Sequence, residues 1–460
     1  MTTEPKKARG RGKPKVSNSK TPPAYFLSLE VENILCFKDR RVLNLTDKNG
    51  NPAQWTVILG NNGVGKTTLL RCLAGMELRE YLLESGNSYT YPILIEPYTF
   101  TSALMWLELL DSSRARIITK LVSGNNLSEI KKPERIKLQE HQVDLRIGSG
   151  YRSTAQELKG LICYGYGATR RMGQTSLSDG IPSEHTESLF SDEVSLINVE
   201  EWLLQTDYAS KSASGQTQDR LKKQFNDIVE VLKRILPDVE DIHIAQVDED
   251  HPRPRAEFKT PYGWVRLSSL GLGYRTMIAW MVDLAVRLFQ RYPDSEDPLA
   301  EPAIVLVDEI DLHLHPKWQR TIMEFLTERF PNTQFIVTAH SPLVVQAAQN
   351  ANIVLLRREG DRVVIDNNPE IIQNWRVDQV LTSVFELPSA RPAAIEPLLD
   401  RRYEILSKAH LTEADEAELS QLDLQIGSLP TAQNPEDIKA MDIIRRAAKL
   451  LENSQGSIAE

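Results

Sequence analysis

The stretch that decides the fold is Trp55–Gly75, WTVILGNNGVGKTTLLRCLAG. An apolar run leads into a glycine-rich loop, and an apolar-periodic segment follows at once. This order of strand, loop and helix, with this spacing, is that of a Walker A phosphate loop. Glycines allow the tight path that turns backbone N–H groups toward a polyphosphate, and the start of the helix adds a partial positive charge. The stretch therefore predicts a nucleoside triphosphate site.

Each residue of this loop has an expected role. The residues predicted to cradle the phosphates are Gly60, Asn61, Asn62, Gly63, Val64, Gly65, Lys66, Thr67 and Thr68. The Lys66 ammonium is expected to reach the β- and γ-phosphates, and the Thr67 hydroxyl to bind Mg²⁺. The alternative, a glycine-rich turn that matches by chance, is disfavoured because the strand and the helix are both in place.

Length and composition indicate a globular protein. The 460 residues suffice for two to three domains or one large α/β domain with insertions, and the composition, 41% hydrophobic and 25% charged, is ordinary for a soluble chain. No apolar run reaches the length of a membrane span, and no signal-peptide pattern opens the chain. The three scattered cysteines, Cys36, Cys72 and Cys163, indicate neither a disulfide framework nor a zinc site. We expect a cytoplasmic protein with no membrane contact of its own.

Charge is unevenly distributed along the chain. Residues 1–20 carry seven Lys or Arg and one Glu, so this tail is +6 and the remainder of the chain, whose net charge is −9 in total, is −15. A basic tail of this composition is expected to be disordered. Two readings stay open, namely non-specific contact with DNA and a solvated tail without a dedicated role.

Two further apolar runs end in residues that are expected to act on the bound nucleotide. Residues 303–309 read AIVLVDE, a fully apolar run of the kind that forms a central parallel strand, followed by Asp308 and Glu309. Asp308 is expected to hold Mg²⁺ and Glu309 to orient the attacking water, which is the Walker B arrangement with a catalytic base. Residues 334–340, QFIVTAH, form another apolar run that ends in His340, and we expect this histidine to sense the γ-phosphate.

A third motif is altered. Residues 267–275 read LSSLGLGYR and precede a helix-like segment, where ATPase heads of the ABC type have Leu-Ser-x-Gly. Aligning on the Gly-Tyr-Arg part places Gly271, rather than a serine, at the position that contacts the γ-phosphate of a partner head, with Ser269 nearby. Backbone N–H groups at the start of the helix can still bind phosphate. Ser269, Gly271 and Gly273 are therefore predicted to reach a nucleotide held by a second copy.

The order of these motifs predicts an α/β fold, an ABC-type ATPase head with a P-loop parallel core sheet and an antiparallel β lobe. We assign residues 1–23 to the basic tail, 24–370 to the head and 371–460 to a helical C-terminal region with a last helix at 435–452. Within the head, the β lobe spans about 85–160 and a mostly helical insertion about 173–240. The helical run near residue 230 is about twenty residues, too short for a coiled-coil arm.

One further stretch in the head has two interpretations. Residues 161–171, LICYGYGATRR, form an apolar strand that ends in a Gly-rich loop with Arg170 and Arg171. These arginines either contact phosphate or DNA or are solvated charges at the end of a strand, and the second interpretation is the default.

A family resemblance follows from these stretches together. Residues 311–316, DLHLHP, resemble the soluble AAA-15/21-type ATPases of the OLD and bacterial defence groups. With YGYGATRR, the LGYRTMIAW helix and the C-terminal RVDQ, LPT and EDIKAMDIIRRAAKLL segments, nearly the whole chain from Tyr25 resembles the PtuA family. These are ABC/OLD-like ATPases of Septu antiphage systems, which also occur beside some retrons.

The resemblance implies a function. It implies ATP and Mg²⁺ as cofactors, a homo-oligomer built from head–head dimers, and a partner subunit that is a PtuB-like HNH nuclease, with DNA reached through that partner or the basic tail. The residues after His340 show no Toprim nuclease motif, so we expect the chain to be an ATPase without a nuclease site. The altered Leu267–Arg275 segment predicts slow, regulatory turnover. The alternatives are an SMC/RecF-like DNA-repair ATPase that acts on DNA itself and the ATPase of an importer or exporter.

Overall fold

The structure of the protein is a computed structural model. It describes residues 23–82, 88–92, 115–124, 139–146, 160–174, 185–236, 238–247, 252–369, 375–385, 393–406 and 412–426, with the single residues 127, 158, 249 and 387. The predicted basic tail up to residue 22, most of the predicted β lobe at about 85–160 and the predicted helix at 435–452 lie outside the described residues.

The described residues form fifteen strands and nine α-helices. The described strands are β1 (Ala24–Glu32), β2 (Arg41–Asn44), β3 (Trp55–Gly60), β4 (Leu78–Leu82), β5 (Ser88–Pro92), β6 (Arg116–Ser123), β7 (Gln139–Arg146), β8 (Cys163–Tyr166), β9 (Asp241–Ala245), β10 (Arg255–Thr260), β11 (Gly263–Arg266), β12 (Ala303–Val307), β13 (Thr333–Thr338), β14 (Asn352–Glu359) and β15 (Arg362–Asp366). The described α-helices are α1 (Lys66–Ala74), α2 (Val199–Ser212), α3 (Gly215–Ile235), α4 (Leu272–Arg291), α5 (Pro316–Arg329), α6 (Pro342–Ala347), α7 (Val377–Ser383), α8 (Glu396–Leu406) and α9 (Glu413–Ile426).

A six-stranded sheet forms the centre of the head, in the order β15-β14-β3-β13-β12-β8. Its neighbouring strands run parallel, apart from the antiparallel pair β14 and β15. Every residue of β3, β12 and β13 is buried, which explains why these strands are continuous apolar runs in the sequence. Because the strands are parallel, the residues that follow β3, β12, β13 and β8 meet at one edge of the sheet.

A four-stranded antiparallel sheet, β2-β1-β6-β7, lies over α1 and the central sheet. One hydrophobic cluster joins the three layers and includes Leu29 of β1, Leu69 of α1, Ile117 of β6 and Ile336 of β13. Burying a side chain of this size contributes about 1.5–3 kcal/mol. The buried Gln334 side chain also bridges the layers, because it accepts from the Phe26 N–H and donates to the Phe26 carbonyl, both at 2.8 Å.

The predicted fold class is confirmed. The phosphate loop follows a strand of a parallel core sheet, and an antiparallel sheet packs beside it. The predicted insertion contains helices α2 and α3, and α3 has 21 residues and ends at Ile235. A three-stranded sheet, β11-β10-β9, then leads into α4. Among the described residues, no helix is both long and apolar enough to cross a membrane.

The chain divides into two compact units, Met1–Val380 and Leu381–Glu460. The second unit contains α8 and α9, which pack through Ile405 and Leu422. Thr412 caps the start of α9: its N–H and hydroxyl both donate to the Asp415 carboxylate, and the Asp415 N–H donates back to the Thr412 hydroxyl at 3.2 Å. This reciprocal cap is the one expected from a threonine followed three residues later by an acid.

Candidate nucleotide-binding site

At two positions of the phosphate loop, a positive φ coincides with packing that leaves no room for a side chain. Gly60 has φ +143° and a Cβ atom there would lie 2.5 Å from the Leu356 carbonyl oxygen. Gly65 has φ +88° and a Cβ atom there would lie 2.5 Å from the Cys36 sulfur. Both glycines therefore combine a left-handed or extended positive φ with close packing, which is the reason for glycine in a tight phosphate loop. Gly65 is also the N-cap of α1, so the first N–H groups of this helix have no side-chain cap.

Lys66 is folded onto its own loop. Its Nζ donates hydrogen bonds to the carbonyl oxygens of Gly60 at 2.8 Å and Asn61 at 2.9 Å. Burial lowers the pKa of Lys66, and the nearby carboxylates of Asp308, Glu309 and Asp311 oppose this shift. A desolvated ammonium gains more from an anionic phosphate than a solvated one does. The loop therefore holds a positive charge where the phosphates of a nucleotide would lie.

The two predicted Mg²⁺ ligands are in direct contact. The Thr67 hydroxyl donates to Oδ2 of Asp308 at 2.7 Å, although the residues are 241 positions apart. The hydroxyl of Thr338, at the end of β13, donates to Oδ1 of the same carboxylate at 2.6 Å. Two hydroxyls thus fix the orientation of the buried Asp308 carboxylate. Sequence reasoning did not single out Thr338, which lies two residues before His340.

This donor set fits Mg²⁺. Mg²⁺ prefers oxygen ligands and is usually held by one or two carboxylates together with substrate phosphates and water. Thr67 and Asp308 supply one hydroxyl and one carboxylate at the end of the phosphate loop. Within the described part of the chain, no group of three or more His, Cys, Asp and Glu side chains could hold a metal by itself. A Mg²⁺ ion that arrives with a nucleotide needs no such group.

Glu309 has an unusual backbone conformation. Its φ is +47°, a left-handed value that is rare for residues other than glycine and asparagine. The Glu309 N–H donates to the Thr338 hydroxyl at 2.7 Å, and the next residue, Ile310, donates its N–H to the Thr338 carbonyl at 3.0 Å. The Glu309 side chain is half-buried. The structure therefore places the predicted base beside Asp308, in a conformation that its neighbours hold in place.

His340 lies at the same edge of the sheet. Its backbone N–H donates to both carboxylate oxygens of Asp311, at 3.2 and 3.1 Å. Burial lowers the pKa of the His340 imidazole, and the positive charge of Lys66 lowers it further, whereas Asp311, Glu309 and Asp308 oppose the shift. The imidazole is therefore neutral at pH 7 and can donate one N–H to a phosphate oxygen. Asp311, which sequence reasoning had not selected, holds the backbone of His340.

The default interpretation of Arg170 was wrong, because Arg170 is not a solvated charge. Its side chain is 2% exposed and lies beneath the end of β12. Its guanidinium donates to the carbonyl oxygens of Asp308 and Glu309, each at 2.8 Å. The parallel pairing of β8 with β12 brings it there, a contact over 138 positions that no local pattern shows. Arg171, by contrast, is exposed.

The altered motif lies at the surface. Residues Leu267–Ser269 form a 3₁₀ turn, and Gly271 is the N-cap of α4. Ser269, Gly271 and Leu272 are exposed, and the apolar Leu272 side chain is 55% exposed. His313 and His315 are exposed as well, and Nδ1 of His315 accepts from the Lys317 N–H to cap α5.

Gly273 has a packing role that the sequence did not show. A Cβ atom at this position would lie 2.3 Å from the His313 carbonyl oxygen. Such a distance to a backbone atom cannot be relieved by turning a side chain. The first turn of α4 therefore packs directly on the segment after Walker B, and this contact requires glycine whether or not Gly273 meets a phosphate.

We expect Gly273→Ala to destabilise the folded chain by about 2 kcal/mol, because overpacking against a backbone carbonyl forces the helix to move. Thermal or urea unfolding of the full chain measures this. The matched control is Gly271→Ala, where the new Cβ would lie 3.8 Å from the Tyr274 ring, an ordinary contact. Equal stabilities of the two variants would contradict the packing argument.

Comparison with known protein families gives two matches. The family described as "AAA domain, putative AbiEii toxin, Type IV TA system" matches residues 55–346, and a second one, described as "AAA domain", matches residues 28–76. The first match covers more than half of the chain, from the strand before the phosphate loop to α6.

Individual proteins with similar sequences include a Septu protein and a retron ATPase. The Septu protein PtuA of Bacillus mycoides (strain KBAB4) is 26% identical over 403 residues, which is 86% of this chain and 50% of the relative. The Retron Vc95 probable ATPase of Vibrio cholerae is 37% identical over 150 residues, 32% of this chain and 28% of the relative. The chain thus spans half the length of the Bacillus relative and less of the Vibrio one. Among solved structures, an SMC head bound to the C-terminal winged-helix domain of ScpA has a TM-score of 0.41 and 16% identity, covering 74% of this chain and 97% of that one.

Proposed function

The chain belongs to the AAA-domain family described as a putative AbiEii toxin of type IV toxin–antitoxin systems, and on this premise we propose that it is a cytoplasmic, ATP-hydrolysing subunit of an antiphage defence complex. One observation carries the proposal. Lys66 and Thr67, Asp308 and Glu309, and His340 come from three separate parts of the sequence, and the ends of three parallel strands bring them to one edge of the sheet.

The proposed reaction is hydrolysis of the bond between the β- and γ-phosphates of ATP. The loop N–H groups and Lys66 bind the phosphate oxygens. The oxygen of a water molecule attacks the γ-phosphorus, the bond to the bridging oxygen of ADP breaks, and Glu309 takes the proton of the water. His340 donates its N–H to an oxygen of the γ-phosphate. Thr67 and Asp308 would hold Mg²⁺, which when bound neutralises charge on the phosphates.

A second copy of the chain completes the proposed site. The exposed Ser269, Gly271 and Leu272 stand at the start of α4, where backbone N–H groups and the helix dipole favour an anion. Two heads related by a twofold axis would each present this segment to the nucleotide of the other. Because a glycine replaces a hydroxyl-bearing residue at position 271, we propose that turnover is slow and that ATP acts mainly as a regulator.

The antiphage role rests on similarity. Septu protein PtuA is the relative matched over most of this chain, and a retron ATPase matches a shorter part. We propose that the regulated partner is an HNH nuclease, which cuts DNA, while this chain supplies the ATP-dependent control. Residues 371–460, which the sequence predicts to be a helical region, are the proposed partner-binding region.

A search of the neighbouring genes for an HNH nuclease, followed by co-expression of the two proteins, tests this function. We expect the tagged chain to co-purify with the nuclease and the pair to lower phage plating efficiency. A pair with an inactivated HNH site is the control: it should still co-purify and should give no protection. A chain that fails to co-purify with the nuclease both with and without ATP, and gives no protection, would contradict the assignment.

A further inference from the structure

Arg170 is a buried cation at the end of β12, the strand that leads to Asp308 and Glu309. Its side chain is 2% exposed, and its two terminal nitrogens donate to two consecutive carbonyl oxygens, those of Asp308 and Glu309, each at 2.8 Å. Its Nε is buried without a hydrogen-bond partner among the described residues. Burying donor groups costs free energy unless they are hydrogen-bonded, and the two carbonyl oxygens are the partners of this guanidinium. These two contacts therefore set its position.

These contacts hold a backbone that is unfavourable by itself. Glu309 has φ +47° and Arg170 has φ +37°, and both values are left-handed. A left-handed conformation at a residue other than glycine persists only where surrounding groups impose it. Here the Asp308 N–H donates to the Tyr166 carbonyl at 2.8 Å, the Glu309 N–H donates to the Thr338 hydroxyl, and Arg170 binds the carbonyls of both residues. The peptide groups on each side of Glu309 are thereby fixed.

A residue that only neutralised the nearby carboxylates would not need two hydrogen bonds to successive carbonyl oxygens. Burial lowers the pKa of Arg170 to about 10, and the negative charges of Asp308, Asp311 and Glu309 oppose this shift, so the guanidinium stays charged at pH 7. A lysine could supply one charge, but an ammonium is a compact point charge without the planar fork of a guanidinium. Two parallel N–H donors aimed at two successive carbonyls are a property of arginine alone.

We propose that Arg170 is a positioning residue that holds the Glu309 backbone in its left-handed conformation and so aims the carboxylate at the attacking water. The inference rests on the proposed role of Glu309 as the base. Arg170 touches neither the nucleotide nor the reacting atoms in this account. It acts on catalysis through Glu309, and it leaves the phosphate loop unchanged.

The test is Arg170→Lys in the full chain, assayed for ATP binding and for multiple-turnover hydrolysis. We expect kcat to fall at least about tenfold, because a displaced catalytic group loses effective concentration. The Kd for ATP, measured by titration, should stay within about threefold, since the guanidinium of Arg170 donates to the backbone of Asp308 and Glu309 and not to the phosphate loop. Arg171→Lys is the matched control: the neighbouring arginine is exposed, so its replacement should leave both values unchanged.

A double-mutant cycle separates positioning from a general structural role. If Arg170 acts through Glu309, Arg170→Lys should slow hydrolysis in the wild type and should have no further effect in the Glu309→Gln background. Additive effects, or a wild-type kcat in Arg170→Lys, would overturn the inference. If Arg170→Lys does not fold, Arg170→Gln, which keeps one NH2 group as a donor, takes its place. Failure of both variants to fold would make the role structural. A wild-type chain that does not hydrolyse ATP would instead refute the proposed function itself.

Discussion

Lys66→Met is expected to raise the Kd for ATP at least about 100-fold. The substitution removes the Lys66 ammonium, which is desolvated in the loop and donates hydrogen bonds to the carbonyl oxygens of Gly60 and Asn61. Charge-assisted hydrogen bonds to phosphate contribute about 1.5–3 kcal/mol each, and two of them correspond to a factor of this size. Titration of the purified chain with ATP or a fluorescent analogue measures the change.

The matched control for Lys66 is Lys38→Met. Lys38 lies near the loop in sequence, but its side chain is exposed and forms a surface ion pair with Asp361 at 2.8 Å. Surface ion pairs of this kind contribute little, so ATP binding and stability should both change little. If Lys66→Met bound ATP as tightly as the Lys38 variant, the loop would not be the nucleotide site.

Contiguous motifs were the predictable part of this molecule. The apolar runs of β3, β12 and β13 predicted buried parallel strands, and the residues after each run meet at one edge of the sheet. Parallel strands impose this meeting, because their carboxyl ends lie on the same side. The positions of Lys66, Asp308, Glu309 and His340 therefore followed from local pattern together with one rule of sheet topology.

The contacts that hold these residues were not predictable from local pattern. Arg170 binds carbonyls 138 and 139 positions away, and this depends on β8 pairing with β12. Asp311 binds the His340 N–H over 29 positions. Gly273 resembled a phosphate contact in the sequence, whereas the structure also gives it a packing partner, the His313 carbonyl. In each case the sequence shows a residue type, and only the fold shows its partner.

Glu309→Gln is expected to lower the hydrolysis rate by about 10²–10⁴-fold while ATP binding is retained, because glutamine cannot accept the proton of the attacking water. The substitution keeps the side-chain volume and leaves the backbone contacts of Glu309 with Thr338 and Arg170 in place. Phosphate release under saturating ATP measures the rate, and titration measures binding.

The control for this variant is Glu324→Gln on the exposed face of α5, which should hydrolyse ATP at the wild-type rate. A Glu309→Gln protein that hydrolyses ATP as fast as this control would refute the assignment of the base. A variant that loses binding as well would show that Glu309 holds the nucleotide rather than activates water.

The mass of Glu309→Gln in solution tests the central claim, that two copies of the chain complete one ATP site. With ATP and Mg²⁺ bound and not hydrolysed, light scattering should give twice the mass found with ADP, a gain of one 52.1 kDa chain for each chain in the ADP-bound species. Adding Leu272→Glu, which places a charge on the exposed start of α4, should abolish the gain. The control is Tyr208→Glu on α2, where the side chain is 73% exposed, and this change should leave the gain in mass intact. An identical mass with ATP and with ADP would contradict the account.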